Sequence, residues 1–493
     1  MSGIESFLSR TRGPLTILVD SIGGSVTWFS ASEAVFTVHG IKEIAAAFGQ
    51  VTAAGRKSWS EDAAQLDIDH KPLLAAAHNP RIYDALTVDR ALSPQKKKPT
   101  PSGGGDLAKL MVRYNGAQKA DRVHAVRVEK ETDLWRNVSR RGYRLDMQRA
   151  MSELSIRTPI VNTFSQRYCD LSRGYEHVVE KFLSRIPGLA VTLDAGHPKY
   201  VSPTLNISGV DPGYGPVIAA YKAANSAWSR MQLLRKVIKN ADAGGRLYPI
   251  IRSNSAATGR MTIEGVPLQA WPTDIRGVWV PELGQALVGA DFSAVELIIA
   301  AALTQSADFI ARVQKSDIYV EFSTALGVSR TVAKSALISY LYGETRVGRV
   351  ERFGSVKSAI EAEETLNRLF PELVTMAARF EKLSESGQPL ATMFGRPLPK
   401  PIDKRGNLRH SLACNLVVQG TGRDVLGMAV RKAHDAGVNL WAPMHDELLA
   451  SCSIGSEEAT LRLLIDAMTV ELAGTSVSLT AVGTIFGARW GAK

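Results

Sequence analysis

Cysteine is scarce in this chain of 493 residues: Cys169, Cys414 and Cys452 are odd in number and far apart. They form no disulfide framework and no zinc spacing, and they suit a reducing compartment. The first residues, MSGIESFLSRTRG, hold no apolar core of signal-peptide length. No run of about 18 uncharged apolar residues occurs, so no membrane span is expected. No repeat of solenoid length recurs. These absences argue against a secreted, membrane-spanning or solenoid protein and for a cytoplasmic one.

What is present is a sizeable core and an excess of positive charge. Hydrophobic residues make up 45% of the chain, ordinary for a globular protein. The length suits two or three compact units. The net charge of +11 points to a polyanionic partner. Nucleic acid is favoured over a membrane surface.

The clearest break is PQKKKPTPSGGGD at 94–106, which cannot continue a helix or a central strand. Before it, LTILVD (15–20) reads as a buried strand and IKEIAAAFGQV (41–51) as a helix; after it, DLAKLMVRY (106–114) reads as helical. From about 131 helical patterns dominate, with a turn at Gly-Tyr-Arg-Leu-Asp near 146. In 217–240, Trp228, Met231, Leu234 and Ile238 form an apolar stripe, with Arg230, Arg235, Lys236 and Lys239 mostly off it. Two readings stand: a core helix with a solvated basic face, or a helix lying along a phosphate backbone.

MHDELLAS (444–451) sets His445, Asp446 and Glu447 side by side among apolar residues. Acids there cost desolvation energy unless a cation binds them. NLWAPMHDELLAS predicts a tight hairpin with the acids near its turn, followed by a helix over 456–472. A second acid, Asp291, ends the apolar strand in ALVGADFSAVELIIAAAL (286–303). Ser293 and Glu296 have the spacing of a capping box, which would start the next helix. If strand and hairpin share a sheet, two carboxylates meet. Without a His or Cys cluster they favour Mg²⁺ over zinc. Two such ions can serve phosphoryl transfer.

In SRTVAKSALISYLYG (329–343), Arg330, Lys334, Ile338 and Tyr342 recur along one helical face, and Gly343 would end the helix. This is either a partly exposed amphipathic helix, or one that offers cations to phosphates and Tyr342 to a base or sugar.

These stretches resemble the family A DNA polymerases, the bacterial polymerase I type, in the family's order. SAATGRM (255–261) with PLQAWP (267–272) is similar to T-A-T-G-R and L-Q-N-I-P. DFSAVEL (291–297) resembles motif A, RTVAKSALISYLYG (330–343) motif B and MHDEL (444–448) motif C. The likeness runs from about 131 to FGARWG (486–491).

The resemblance implies an α+β right-hand polymerase fold with a small α/β exonuclease-like N-terminal domain. Residues 1–130 would be the latter, 131–245 the thumb, 246–302 and 404–493 the palm, and 303–403 the fingers. It implies template-directed extension of a primer 3′-OH by deoxynucleoside triphosphates on primer–template DNA. Two Mg²⁺ ions, or Mn²⁺ in their place, would be held by Asp291 and Asp446, with Phe292 counted at the metal and nucleotide sites. Glu447 would support the metals. Arg330 and Lys334 would bind the triphosphate, and Lys334 would protonate the leaving pyrophosphate. Ile338 and Tyr342 would line the nucleotide site, and Glu296 would exclude a ribose 2′-OH. Arg260, Gln269, Asn415, Gln419 and His445 would contact the primer–template. The enzyme would act as a monomer in a bacterial or phage-infected cell, with accessory replication proteins.

Several residues depart from the family's pattern. Ile338 stands for an aromatic residue, Ala294 for a glutamine and Ala270 for an asparagine. Ser411 stands for an arginine, with Arg409 and His410 as substitutes. Near the N-terminus, Asn79, Tyr83 and Asp84 resemble the second exonuclease motif. Asp20 lacks the glutamate two residues on, and no third motif precedes 131. The expectation is a shrunken domain without proofreading. A single-subunit RNA polymerase and a silent DNA-binding protein are the alternatives. Glu296 argues against the first, and the intact Asp291, Asp446, Arg330 and Lys334 against the second.

Overall fold

The structure, a computed structural model, describes five strands between residues 15 and 84, and residues 131–491 apart from 133, 193–201, 208, 254 and 404–405. The N-terminal strands are β1 (Leu15–Asp20), β2 (Ser25–Phe29), β3 (Val35–His39), β4 (Ser58–Ser60) and β5 (Ile82–Asp84). They form one mixed sheet in the order β3-β2-β1-β4-β5. β1 runs antiparallel to β2 and parallel to β4. The strand expected at 15–20 is present, and Tyr83 and Asp84 lie on β5. Asn79, the loop at 94–106 and the helices expected at 41–51 and 106–114 lie outside the described residues.

The helical stretch from 131 stops at Gly142, whose φ of 71° suits glycine. The segment read as a turn is instead a short strand, Tyr143–Leu145, paired with Trp279–Val280 and Arg246–Leu247. Asp146 then caps α1 (Met147–Arg167) by accepting from the Arg149 N–H at 2.9 Å. α1 packs along α2 (Gly215–Asn240) as a helical arm with its own core of Val161, Phe164, Phe182, Tyr221 and Met231. The buried face of α2 runs through Tyr221, Ala224, Ala227, Met231, Leu234 and Val237. The predicted stripe was therefore offset: Trp228 and Ile238 flank it, half-buried.

β6 (Gln285–Phe292) is central in a four-stranded antiparallel sheet with β7 (Leu440–Met444), β8 (Glu447–Ser453) and β9 (Ala481–Gly487), in the order β7-β8-β6-β9. Its run Ala286–Ala290 is buried throughout, as expected for a strand covered on both faces. Gly289 is required there. A Cβ would lie 2.7 Å from Leu449 Cδ2 and 2.8 Å from both Glu447 Oε1 and Phe486 Cε2.

Between β6 and β7 lie α3 (Val295–Thr304), α4 (Ala307–Lys315), α5 (Ile318–Leu326), α6 (Arg330–Leu341), α7 (Arg346–Phe353), α8 (Val356–Leu369), α9 (Pro371–Glu385) and α10 (Ala413–Asp435). The starts of α4 to α8 are written in the sequence: Ser306, Asp317, Ser329, Thr345 and Ser355 each accept an N–H from the first turn. α11 (Glu457–Ala467) backs the sheet, and Leu461 and Ile465 pack against Gly483. It ends earlier than expected, because Val470–Glu471 pairs as a strand with Ser478–Leu479. The three cysteines are buried and unpaired. Among the described residues, no helix is long and apolar enough to cross a membrane.

Candidate active site

The expected hairpin forms: Met444 pairs with Glu447, leaving His445 and Asp446 as the turn. His445 takes φ 55°, which costs a non-glycine residue about 1–2 kcal/mol. Two contacts hold it there. Its Nε2 donates to Gln269 O at 3.0 Å, and the Phe292 N–H donates to Asp446 O at 3.2 Å. The second contact ties the turn to the end of β6, where Asp291 lies directly opposite Glu447. Strand-end acid and hairpin acid thus share one edge of one sheet, the edge formed by the ends of its two inner strands.

The capping box is not formed. α3 starts from Ala294, in the left-handed region at φ 47°, with no side-chain cap. The Ser293 N–H donates instead to Thr480 O at 3.0 Å. Glu296 is thereby released for other contacts. It accepts from Arg260 at 2.9 Å and from the Tyr342 hydroxyl. Arg260 also reaches Asp446 Oδ1 at 3.4 Å. A chain of contacts therefore runs from Tyr342 through Glu296 and Arg260 to the hairpin acid.

Negative charge exceeds its local compensation. Burial raises Asp446 above the usual carboxylate range; Arg260 opposes this, and Glu296 and Asp291 add to it. Asp291, open to solvent on its outer side, is likewise raised by desolvation, against Lys334 and His445. Glu447 is pushed up to about 7, first by burial and then by Asp291, with Arg276 opposing. Its carboxylate lies over Gly289, back along the sheet from the strand end.

α6 runs from Arg330 to Leu341, and Gly343 at φ 69° follows its end, as read from the sequence. Lys334 is exposed and close enough to Asp291 to favour that carboxylate's charge. Arg330 is held at 2.6 Å by Asp317, and both cations lie over the Tyr319 ring, at 5.4 and 5.8 Å from its centre. Ile338 is half-buried one turn beyond Lys334. Tyr342 adds a hydrogen bond with Gln419, and burial raises its pKa. Asn415, one turn earlier on α10, has its Oδ1 buried without a partner. Gln269 donates to Met261 O at 3.2 Å. Phe292 has a buried side chain and offers a cation only its carbonyl. Arg409 and His410, named as substitutes at Ser411, serve helix ends. Arg409 donates to Gly343 O and Ser411 Oγ, and His410 Nδ1 lies 2.8 Å from Ser384 Oγ.

The donor set fits hard divalent cations. It offers carboxylate and carbonyl oxygens in a region with too little positive charge of its own. Among the described residues, no group of three His, Cys, Asp or Glu side chains forms a ready-made metal cluster. Mg²⁺ rarely uses such a cage; it takes one or two carboxylates and completes its shell with water and substrate phosphate.

Two partner residues and two buried ion pairs were missed from the sequence. Asp317 reads as an ordinary helix cap, yet also holds Arg330. Arg276, which opposes Glu447, also stacks on Trp490 with its guanidinium carbon 4.4 Å from the ring centre. The buried pairs Arg396–Asp424 and Arg423–Glu131 lie beneath the site. The only sequence signal for these last was the run of glycines in a helical segment, 420–427.

The model of the family described as DNA polymerase family A matches residues 212–492, more than half of the chain. A DNA polymerase of Mycobacterium phage L5 is 26% identical over 334 residues, 65% of this chain and 54% of that protein. DNA polymerase I of Chloroflexus aurantiacus is 28% identical over 253 residues, 45% of this chain and 27% of that protein. The chain thus spans about half the length of the phage relative and less of the bacterial one. A solved structure, the POL domain of Pol1 from M. smegmatis in complex with DNA primer-template and dNTP, superposes with a TM-score of 0.79. The match covers 100% of this chain and 98% of that one, at 16% identity, and is a likeness of fold.

Proposed function

The chain belongs to the family A DNA polymerases, and from that premise we propose that it extends a primer 3′-OH with deoxynucleoside triphosphates along a DNA template. One observation carries the reading. Asp291 and Asp446 converge at one sheet edge, opposite the Lys334 face of α6. Residues 131–245 then act as thumb, 246–302 and 404–493 as palm, and 303–403 as fingers. The protein works as a monomer in the cytoplasm of a bacterial or phage-infected cell.

Asp291, Asp446 and the Phe292 carbonyl would hold two Mg²⁺ ions, or Mn²⁺ in their place. When bound, the ions activate the attacking oxygen and stabilise charge on the transferred phosphoryl group. The chain's own residues do the rest. Lys334 faces the phosphates and supplies a proton to the leaving pyrophosphate. Arg330, fixed by Asp317 on the Tyr319 ring, takes the outer phosphates. The rigid hairpin turn keeps the acids from relaxing away as charge develops. Glu296, fixed by Arg260 and Tyr342, closes the space that a 2′-OH would need. A cation held by Asp446 would take the place of its 3.4 Å contact to Arg260, which would keep Glu296 and offer its remaining N–H groups to the primer–template. Gln269, Asn415, Gln419 and His445 line the same duplex side. The N-terminal sheet is a reduced exonuclease-like domain without proofreading. Exchanging Ile338→Phe alters the preference between dideoxy- and deoxynucleotides; an unchanged ratio in competition incorporation refutes that role.

The test is primer extension on a recessed template with Mg²⁺ and four deoxynucleotides, wild type beside Asp446→Ala. Extension by the wild type and its loss in a folded mutant supports the reading. No extension by a folded, DNA-binding wild type overturns it. Ribonucleotide incorporation at equal rate would transfer the activity to RNA synthesis.

A further inference from the structure

Arg396 and Arg423 are 6% and 3% exposed, and the chemistry above uses neither. Arg396 Nε donates to Asp424 Oδ1 at 2.7 Å, and Thr392 Oγ1 donates to Asp424 Oδ2 at 2.7 Å. Arg423 donates to Glu131 Oε2 at 2.7 Å, and Arg431 donates to the other oxygen of Glu131. Buried ion pairs are a weak source of stability, because desolvation offsets their attraction. Their remaining N–H groups are more telling: Arg396 gives one to Gly420 O of α10 at 2.8 Å, and the others converge on one loop. Arg396 donates to Thr258 O at 2.9 Å, and Arg423 donates to Gly259 O at 3.1 Å and Ser253 O at 2.9 Å. This loop joins strands Ile250–Arg252 and Thr262–Glu264, and Arg260 comes directly after the held carbonyls.

α10 is built to admit these guanidiniums. It carries Gly420 and Gly427 in its interior, although glycine is a poor helix former. A Cβ at 420 would meet Leu398 Cδ2 at 2.9 Å and Arg396 NH2 at 3.2 Å. A Cβ at 427 would meet Glu131 Oε1 at 2.5 Å and Arg423 NH1 at 2.6 Å.

We propose that Arg396 and Arg423, anchored by Asp424 and Glu131, are positioning residues that aim Arg260 at Glu296 and Asp446. The inference rests on the polymerase reading for its catalytic consequence. The peptide is planar, so fixing the Thr258 and Gly259 carbonyls fixes both planes leading into Arg260. The direction of its side chain is then set from behind. α10 also carries Asn415 and Gln419, so one helix registers the loop and the contacts beside it.

The experiment removes one pair as a unit, Arg396→Met with Asp424→Leu, which leaves no unpaired buried charge. Hydrogen exchange across 253–262 is expected to accelerate about tenfold or more, with exchange in 421–435 unchanged. Nucleotide incorporation is expected to fall about 10- to 100-fold in kcat, and adding Arg260→Ala costs little more. Unchanged exchange in the loop overturns the proposal, as does a kcat loss that multiplies with that of Arg260→Ala. If the double variant does not fold, Arg396→Lys keeps the charge beside Asp424 but cannot span its three acceptors, and the same two readouts decide. A wild type that extends no primer sinks the polymerase reading, while the exchange result still decides the positioning.

Discussion

The acid that braces the helical arm and those of the sheet edge are treated in opposite ways. Asp274, at the arm's base, accepts from Arg230 at 2.7 Å and Arg157 at 3.0 Å. Burial works to raise its pKa, but these hydrogen bonds outweigh it and hold the carboxyl below its usual range. Asp291, Asp446 and Glu447 are all raised. Structural acids are matched within the chain. Those at the sheet edge are left short of positive charge, and that shortage is what a metal-dependent site requires. The two regions also differ in how they are held. The arm has a separate apolar core and meets the rest partly through half-exposed ion pairs, whereas the sheet edge sits on the main core.

The comparison breaks first at Asp291. Asp291→Asn is expected to slow primer extension by about 10³-fold or more without lowering Tm, since it relieves crowding while removing a proposed ligand. A fall in Tm that matches the lost activity would make Asp291 a structural acid like Asp274. Gly289→Ala tests the rigidity of the sheet. Its Cβ has no room, and a loss of about 1–3 kcal/mol in urea unfolding is expected.

Proton linkage then separates the regions by sign. Glu447 binds its proton more tightly folded than unfolded, so its contribution is complete below about 4.5 and lost as pH rises through about 7. In metal-free buffer, Glu447→Gln is expected to raise Tm at pH 8 and leave it unchanged at pH 4. Asp274 has the reverse sign: its contribution is present above 3.8 and lost as pH falls through its lower folded value. Asp274→Asn is expected to cost about 1 kcal/mol or less at pH 7, because the pairs are partly solvated, and progressively less as pH falls below 3.8. A cost larger than that of Gly289→Ala would show the arm to be the more tightly held region.

Much of the site was legible because its chemistry is local. The hairpin acid, the strand-end acid, the cationic face of α6 and the stop at Gly343 each depend on a few adjacent residues. The helix starts at Ser306, Asp317, Ser329, Thr345 and Ser355 are equally local, since a cap bonds within its own turn, although only the stretch from Ser329 was read as a helix. The capping reading of Ser293 and Glu296 failed because Thr480, far along the chain, takes the Ser293 N–H. The stripe on α2 was misplaced because its packing partner, α1, chose the face. Spacing within one segment carries no record of such partners.

By itself, the sequence determined the two acids, the order of the motifs and the periodicity that makes each element. Those follow from side-chain chemistry and backbone geometry over a few residues. Only the tertiary structure decided that Asp291 faces Glu447 across one ladder and that Arg260 bridges Glu296 and Asp446. It also decided that Arg396 and Arg423 grip the loop before Arg260. Those contacts join residues up to 186 positions apart, and they exist only once the core has brought the segments together.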